Sequence, residues 1–168
     1  MADLITLYIV RHAIAAERGD EFPDDAKRPL TPQGIARFRE AVEGLAALGV
    51  TLDQILTSPL VRARQTADIL AEILPGRPPV TEIRSLAPGS SAAAVVTALG
   101  EYGRRSSIAL VGHEPGIGEL AARLVGARQA FAFKKGAVCR IDVTALPLAG
   151  PGELRWFATP RMLRKLAR

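Results

Sequence analysis

The strongest constraint in the sequence is an apolar run near the N-terminus that ends abruptly in two polar residues. Six of the seven residues at positions 4–10 are apolar or aromatic, including two isoleucines and a valine. Such a run predicts a strand that is buried on both faces of a sheet. Arg11 and His12 follow it directly. Because open α/β sheets bind ligands at the carboxyl ends of their strands, we expect chemistry at this position.

The rest of the chain alternates predicted strands with predicted helices. After the first strand, short apolar runs predict strands at residues 52–57, 80–83 and 107–111. Two later runs, residues 137–143 and 153–158, are separated by glycine and proline and predict an antiparallel hairpin. This order indicates an α/β fold with a mainly parallel sheet and an antiparallel edge.

Two predicted helices share a start in which a capping residue precedes proline. Thr31-Pro32 and Ser58-Pro59 both have this form, and we expect the threonine and the serine to be N-caps. The first helix, residues 32–48, carries apolar side chains at helical spacing as far as Leu48, and Gly49 ends it. The other predicted helices begin at Ser90 or Ser91 and at Pro115, or occupy residues 161–168.

Length and composition bound the class of protein. With 168 residues, 48% of them hydrophobic, the chain is expected to form a single domain, residues 1–168. No apolar run approaches the roughly 20 residues of a membrane helix, and Asp3 stands where a secretory signal has positive charge. We therefore expect a soluble, cytoplasmic protein with no membrane partner. The single cysteine, Cys139, lies in an apolar run and is expected in the core.

The charge balance indicates the kind of partner. Lysine and arginine number 22 against 17 acidic residues, which gives a formal net charge of +5. Such a balance favours anionic partners, such as phosphate groups or acidic protein surfaces. Aromatic residues make up only 5% of the chain and do not alternate with basic ones, so the composition argues against nucleic acid.

Three predicted strands end in polar residues at equivalent places. Arg11 and His12 follow the first, the arginine-containing segment 58–62 follows the second, and His113 follows the strand at 107–111. The chain has no other histidine. Two arginines at one sheet edge repel each other unless an anion lies between them. The pattern therefore favours an anion site over the alternative, two histidines that merely end strands and make local hydrogen bonds.

These segments resemble three motifs of the histidine phosphatase (phosphoglycerate mutase-like) superfamily. Val10-Arg11-His12 resembles its Arg-His-Gly motif, although Ala13 stands in place of the glycine. Thr57-Ser58-Pro59 with Arg62 resembles the second motif, and Val111-Gly112-His113 resembles the third. The compact length, the segment 28–34 and the tail at 133–166 are most similar to the short SixA-type phosphohistidine phosphatases.

The resemblance implies a fold, an activity and a set of roles. The fold is a three-layer α/β/α sandwich, and the activity is phosphate removal through a phosphohistidine intermediate, with no metal and no cofactor. Carried over to this sequence, His12 is the nucleophile, Arg11 and Arg62 bind phosphate oxygens, and His113 is the second histidine of the catalytic, phosphate-binding pocket. The implied partner is a phosphorylated signalling protein, such as a histidine phosphotransfer domain, or a small phosphate ester.

The leaving group separates these two substrate classes. Ester-cleaving relatives carry a carboxylic acid between the second helix and the third motif, and residues 80–91 offer only Glu82 as a possible acid. Imidazole leaves phosphorus with less help from an acid than an alkoxide does, so this segment favours phosphohistidine. Two alternatives stay open: a promiscuous small-molecule phosphate-ester phosphatase and a non-catalytic phosphate-binding module. His113 is expected to act either as a neutral donor or as an imidazolium.

Several other polar residues have two interpretations. Thr66 either orients the pocket or packs its helix. Lys134 and Lys135 either contact an acidic partner at the mouth of the site or lie in a solvated loop. The basic residues at 161–168 are expected to form an exposed helix face.

Overall fold

A six-stranded mixed sheet lies at the centre of the structure, a computed structural model that describes residues 3–168. Its strands are β1 Ile5–Arg11, β2 Gln54–Thr57, β3 Val80–Glu82, β4 Ser107–Gly112, β5 Val138–Val143 and β6 Glu153–Ala158. They are ordered β3-β2-β4-β1-β5-β6 in the sheet. The first four strands run parallel, β5 is antiparallel to β1, and β6 is antiparallel to β5. The predicted mainly parallel sheet with an antiparallel edge is confirmed.

Five helices cover the two faces of this sheet. They are α1 Pro32–Ala47, α2 Val61–Ile73, α3 Ala92–Leu99, α4 Gly116–Val125 and α5 Pro160–Leu166. One core, which includes Phe38, Leu70 and Leu163, joins α1, α2 and α5 to the first face, and a second core with Leu99 and Leu120 joins α3 and α4 to the other. The predicted three-layer α/β/α sandwich is confirmed. No helix within residues 3–168 is both long and apolar enough to span a membrane.

The first strand is buried on both faces because its side chains alternate between the two cores. Tyr8 and Val10 belong to the core under α1, whereas Leu7 and Ile9 belong to the opposite core. Cys139 of the neighbouring β5 is fully buried in that second core, as predicted. Burial raises the pKa of its thiol to about 12, so the cysteine has no thiolate character at pH 7.

Two predictions about helix ends are corrected by the structure. Helix α1 ends at Ala47, and Leu48 takes the C-cap position, so its side chain is 47% exposed instead of extending the buried stripe. Ser58 does not cap α2, because the chain turns through Pro59 before the helix begins and Leu60 is the N-cap. The hydroxyl of Ser58 therefore accepts the N–H of Leu60 and no N–H inside α2.

Gly44 allows α1 and α5 to approach each other closely. A Cβ at this position would overlap the carbonyl oxygen of Leu163. We therefore expect Gly44→Ala to lower the free energy of unfolding by about 1–3 kcal/mol, the usual cost of overpacking, as measured by urea denaturation. Gly116→Ala is the matched control, since a Cβ there would meet no atom of residues 3–168 within 4 Å. Equal stability of the two variants would contradict the expectation.

Candidate active site

The carboxyl ends of β1, β2 and β4 meet at one edge of the sheet. Val10 of β1 and Thr57 of β2 both pair with Val111 of β4, so the residues after these strands lie side by side. The backbone N–H of His12 continues this pairing by donating to the carbonyl of Gly112 at 3.1 Å. Parallel pairing thus brings together strand ends that are far apart in the sequence.

The imidazole of His12 is held as a neutral ring with one nitrogen lone pair available. Its Nδ1 lies 2.7 Å from the carbonyl oxygen of Ala13. Because a carbonyl only accepts hydrogen bonds, Nδ1 carries the ring proton and Nε2 carries the lone pair. Burial lowers the pKa of His12 to about 4; the Ala13 hydrogen bond opposes this shift, and the charges of Arg62 and Arg11 add to it. His12 is therefore neutral at pH 7, the form that nucleophilic attack requires.

His113 lies beside His12, with the two ring centroids 5.1 Å apart. Its Nε2 is 2.7 Å from the hydroxyl of Ser58, which also accepts the N–H of Leu60. When the serine hydroxyl donates to Nε2, the ring proton is on Nδ1, and when it accepts from Nε2, Nδ1 carries a lone pair. In both tautomers Nδ1 is buried and has no hydrogen-bond partner among the described residues. Burial, and after it the charges of His12 and Arg62, lowers the pKa of His113 to about 3. These shifts favour the neutral donor over the imidazolium.

Two guanidinium groups lie next to the histidines, each with one side fixed by the protein. Arg11 donates through Nη1 to the carbonyl of Phe133 at 2.8 Å. Arg62 donates to the backbone and carboxylate oxygens of Asp25, at 2.8 and 3.0 Å. In both arginines Nε is buried and has no partner within residues 3–168. Each guanidinium thus keeps a donor that the protein does not use.

One cleft of about 380 Å³ is lined by all four of these side chains, Arg11, His12, Arg62 and His113. We name it the active-site cleft. Three of the four buried side-chain atoms without partners in residues 3–168, Nε of each arginine and Nδ1 of His113, belong to residues of this one cleft; the fourth, the Ser85 hydroxyl, does not line it. Buried polar groups are nearly always satisfied in folded proteins, so two guanidinium donors without partners beside such a ring indicate a site for an anion.

Asp25 is a residue of this cleft that the sequence pattern did not single out. Its carboxylate pairs with Arg18, Arg28 and Arg62, at 3.2, 2.8 and 3.0 Å. Partial burial raises the pKa of Asp25, but hydrogen bonds from Arg28 and Arg62 outweigh this effect and hold the pKa below its usual value. The loop at residues 14–30 contains five acidic residues, and only its folded path selects this one to fix Arg62.

Glu82, the possible acid of the sequence, and Glu114, which follows His113, are placed differently relative to the cleft. Glu82, the possible acid, pairs with Arg64 at 3.3 Å and does not line the active-site cleft. Its strand β3 lies beside β2, where Glu82 is the register partner of Thr57, but its carboxylate pairs with Arg64 and stays outside the cleft, so the structure gives no support for Glu82 as the acid. Glu114 does line the cleft, where its carboxylate accepts the N–H groups of Gly118 and Phe133 at 2.9 and 3.4 Å.

Thr66 connects helix α2 to the segment that follows β1. Its hydroxyl accepts the N–H of Ala13 at 3.1 Å and donates to the carbonyl of Arg62 at 2.7 Å. The same side chain thus fixes the backbone next to His12 and next to Arg62. This geometry supports the interpretation that Thr66 orients the pocket.

The buried state of the two histidines leads to a prediction about pH. With pKa values of about 4 for His12 and about 3 for His113, we expect neither ring to titrate between about pH 5.5 and 8. The unfolded chain protonates both rings below about pH 6.5 while the folded protein does not, so the free energy of unfolding falls as the pH drops from about 6.5 towards 4.

Ring-nitrogen NMR of ¹⁵N-labelled protein measures both titrations, and His113→Gln assigns the two rings. The same spectra are expected to show His12 protonated at Nδ1 and His113 protonated at Nδ1. Titration of the His12 ring near pH 6.5 would contradict the prediction.

Comparison with known proteins finds relatives that span most of the chain. Residues 7–87 match the family model of the histidine phosphatase superfamily (branch 1). An uncharacterized protein of Picosynechococcus sp. is 44% identical over 117 residues, which cover 68% of this chain and 70% of that protein. The phosphohistidine phosphatase SixA of Escherichia coli is 27% identical over 167 residues, which cover 94% of this chain and 96% of that protein.

The fold gives a similar result. A solved structure of the protein histidine phosphatase SixA complexed with tungstate matches with a TM-score of 0.83 and 24% identity, covering 94% of this chain and 98% of that one. At this identity the match shows a shared fold, and the family is shown by the sequence matches. Taken with the geometry of the cleft, these findings establish that the chain belongs to the histidine phosphatase superfamily and is a phosphatase with a histidine nucleophile.

Proposed function

We propose that this protein hydrolyses phosphohistidine on a phosphorylated protein, with His12 as the nucleophile and without a metal ion. In the first step, Nε2 of His12 attacks phosphorus, and the bond from phosphorus to the substrate imidazole breaks with its electron pair going to that nitrogen. In the second step, water attacks the phosphorus on His12 and the electron pair of the P–N bond returns to Nε2. One proton of the water stays on the released phosphate, and the other goes to solvent, which supplies the proton that the released substrate imidazole takes up. The sum is phosphohistidine and water giving histidine and phosphate.

The proposal is carried by a neutral nitrogen nucleophile that lies among donors without other partners. A phosphoryl group carries close to two negative charges, which repel an incoming nucleophile. Nε of Arg11, Nε of Arg62 and Nδ1 of His113, which find no partner in the described part of the chain, would bind its oxygens. Fixed donors of this kind stabilise developing charge without a metal. We therefore expect turnover to persist in the presence of EDTA.

The ionisation of Asp25 supports phosphohistidine over an alkyl phosphate ester as the substrate. An alkoxide needs a proton from a general acid when it leaves. The hydrogen bonds from Arg28 and Arg62 hold the pKa of Asp25 below its usual value, so Asp25 carries no proton to donate at pH 7. Both oxygens of Glu114 already accept backbone N–H groups. The 27% identical relative from Escherichia coli is named a phosphohistidine phosphatase, which agrees with this argument.

A small phosphate ester is the second candidate substrate, because one carboxylate of the cleft is not engaged. Glu17 is exposed, lines the active-site cleft, and lies in no ion pair within residues 3–168. If the protein cleaves esters with Glu17 as the acid, Glu17→Gln slows hydrolysis of glycerol phosphate and leaves phosphohistidine hydrolysis unchanged. If phosphohistidine is the substrate, Glu17→Gln has no effect on its turnover.

A substrate panel assayed in EDTA tests the proposal. Its members are a phosphorylated histidine phosphotransfer domain, free phosphohistidine, para-nitrophenyl phosphate and glycerol phosphate. We expect kcat/KM for the phosphohistidine compounds to exceed that for glycerol phosphate by at least about tenfold. Brief exposure to the phosphorylated domain is also expected to leave acid-labile phosphate on His12. Hydrolysis confined to the esters, or activity that EDTA removes and Mg²⁺ restores, would overturn the proposal.

A further inference from the structure

A second cleft of about 660 Å³ adjoins the active-site cleft and is lined by basic residues. The two clefts share Arg11 and Lys135 as lining residues. Four segments form the second cleft: the end of β1 with the residues after it, the start of α1, the loop before β5, and the start of α5. We name it the basic groove. Its cationic lining residues are Arg11, Arg37, Lys134, Lys135, Arg161 and Arg164.

The cations of the basic groove lack the acidic partners that several other arginines of this protein have. Outside the groove, Arg39 pairs with Glu72 at 2.8 Å and Arg64 with Asp68 at 2.9 Å. By contrast, no carboxylate lines the groove. None of its six basic side chains lies within salt-bridge distance of a carboxylate of residues 3–168. Arg11 donates to a backbone carbonyl. Clustered like charges repel each other in the free protein, and an acidic partner relieves that repulsion.

The floor of the basic groove is apolar, which distinguishes it from a site for a simple anion. Phe38 is buried beneath it, and Ala13, Ile14 and Pro160 also line it. A cationic rim over an apolar floor suits a protein surface that presents acidic side chains around an apolar contact. A free phosphate would leave this floor uncovered, and a nucleotide would cover it only with its base.

We infer that the basic groove is a docking surface for an acidic face of the protein that carries the phosphohistidine. This inference rests on the proposed function, because the groove opens beside the cleft where the modified side chain would enter. Arg161 and Arg164 belong to the basic face of α5 expected from the sequence, and both line this groove. Docking here would hold the partner while its phosphorylated residue reaches His12.

Charge reversal in the groove tests the inference through kinetics. The double variant Arg37→Glu, Arg161→Glu is expected to lower kcat/KM for a phosphorylated histidine phosphotransfer domain by about tenfold or more, mainly through KM. Hydrolysis of free phosphohistidine is expected to change by less than about twofold, because neither residue lines the active-site cleft. The matched control is Arg104→Glu, Arg105→Glu, which changes the net charge equally at the opposite edge of the sheet, just before β4.

A binding measurement separates this inference from the proposed function. Fluorescence anisotropy at low salt follows a labelled peptide of twelve glutamates, with or without interspersed leucines. We expect the His12→Ala variant and the Arg104, Arg105 control to bind as the natural sequence does, and the groove variant to bind at least about tenfold more weakly. Leucines are expected to tighten binding.

Three results would overturn the inference. The first is an equal loss of kcat/KM in the groove and control variants. The second is an equal loss of kcat/KM in the groove variant on free phosphohistidine and on the phosphorylated domain. The third is displacement of the labelled peptide by ATP at a concentration lower than that of the peptide. Peptide binding that depends on the groove, in a protein that fails to hydrolyse phosphohistidine, would keep the docking surface and reject the proposed function.

Discussion

Replacing His12 with alanine is expected to lower kcat for phosphohistidine by about 10⁴-fold or more and to remove the phosphoenzyme. The physical reason is that Nε2 of His12 is the atom that bonds to phosphorus in the proposed mechanism. In the natural sequence the Ala13 carbonyl fixes the ring proton on Nδ1, and burial keeps the ring neutral. The other ring of the cleft, His113, has its Nε2 engaged with the hydroxyl of Ser58.

Rapid-quench trapping with a ³²P-labelled phosphohistidine protein measures this effect. We expect labelled His12 in the natural sequence, no label in His12→Ala, and partial recovery of turnover when free imidazole is added to the variant. The control His113→Ala is expected to slow phosphoenzyme formation while still allowing label on His12. Wild-type turnover in His12→Ala, or label on another residue, would show that the assignment of the nucleophile is wrong.

Replacing Arg62 with alanine has the second largest expected effect, a fall in kcat/KM of about 10²–10³-fold. Arg62 is 3% exposed, and Asp25 fixes one side of its guanidinium while Nε stays without a partner in the described chain. The loss removes a charged donor from the transferring phosphoryl group. Arg62→Lys is not expected to recover the activity, because an ammonium cannot bind Asp25 and a phosphate oxygen with the same planar geometry.

Inorganic phosphate serves as the probe for this second expectation. Its inhibition constant, measured with free phosphohistidine as the substrate, is expected to rise in Arg62→Ala together with KM. Asp25→Asn keeps Arg62 but weakens its fixation, so we expect a smaller fall, about tenfold. Circular dichroism controls for folding, since Arg62 is buried. A folded Arg62→Ala variant with unchanged phosphate inhibition would contradict the role assigned to this arginine.

The elements of the fold were predictable wherever a local pattern carries the signal. The apolar run at residues 4–10 predicts β1, and the alternation of its side chains between two cores explains why both faces are apolar. The hairpin of β5 and β6 and the burial of Cys139 also follow from local sequence. The two corrected helix ends are at Leu48 and Ser58. At each, the backbone conformation of a single turn sets where the helix ends or begins, and the periodicity of apolar residues does not.

The contents of the cleft were predictable only in part. The positions of Arg11, His12 and His113 follow from parallel pairing, because each lies at the end of a central strand. Asp25 comes from a loop whose path no periodic pattern encodes, and it was missed. Glu82 is the single acidic residue of the segment 80–91, but its side chain pairs with Arg64 and does not line the active-site cleft, which only the folded structure shows.

The sequence alone determined which chemical groups are available, namely two histidines and a set of arginines. The two histidines and one arginine stand at the ends of apolar runs, and those runs form buried strands of a parallel sheet. Those features are local, since they depend only on side-chain type and on the period of the backbone. Only the tertiary structure decided the protonation of the rings, the fixing of Arg62 by Asp25, and the meeting of basic residues from four segments in one groove. These depend on burial and on contacts between distant segments, which arise only when the sheet and its two helical layers are assembled.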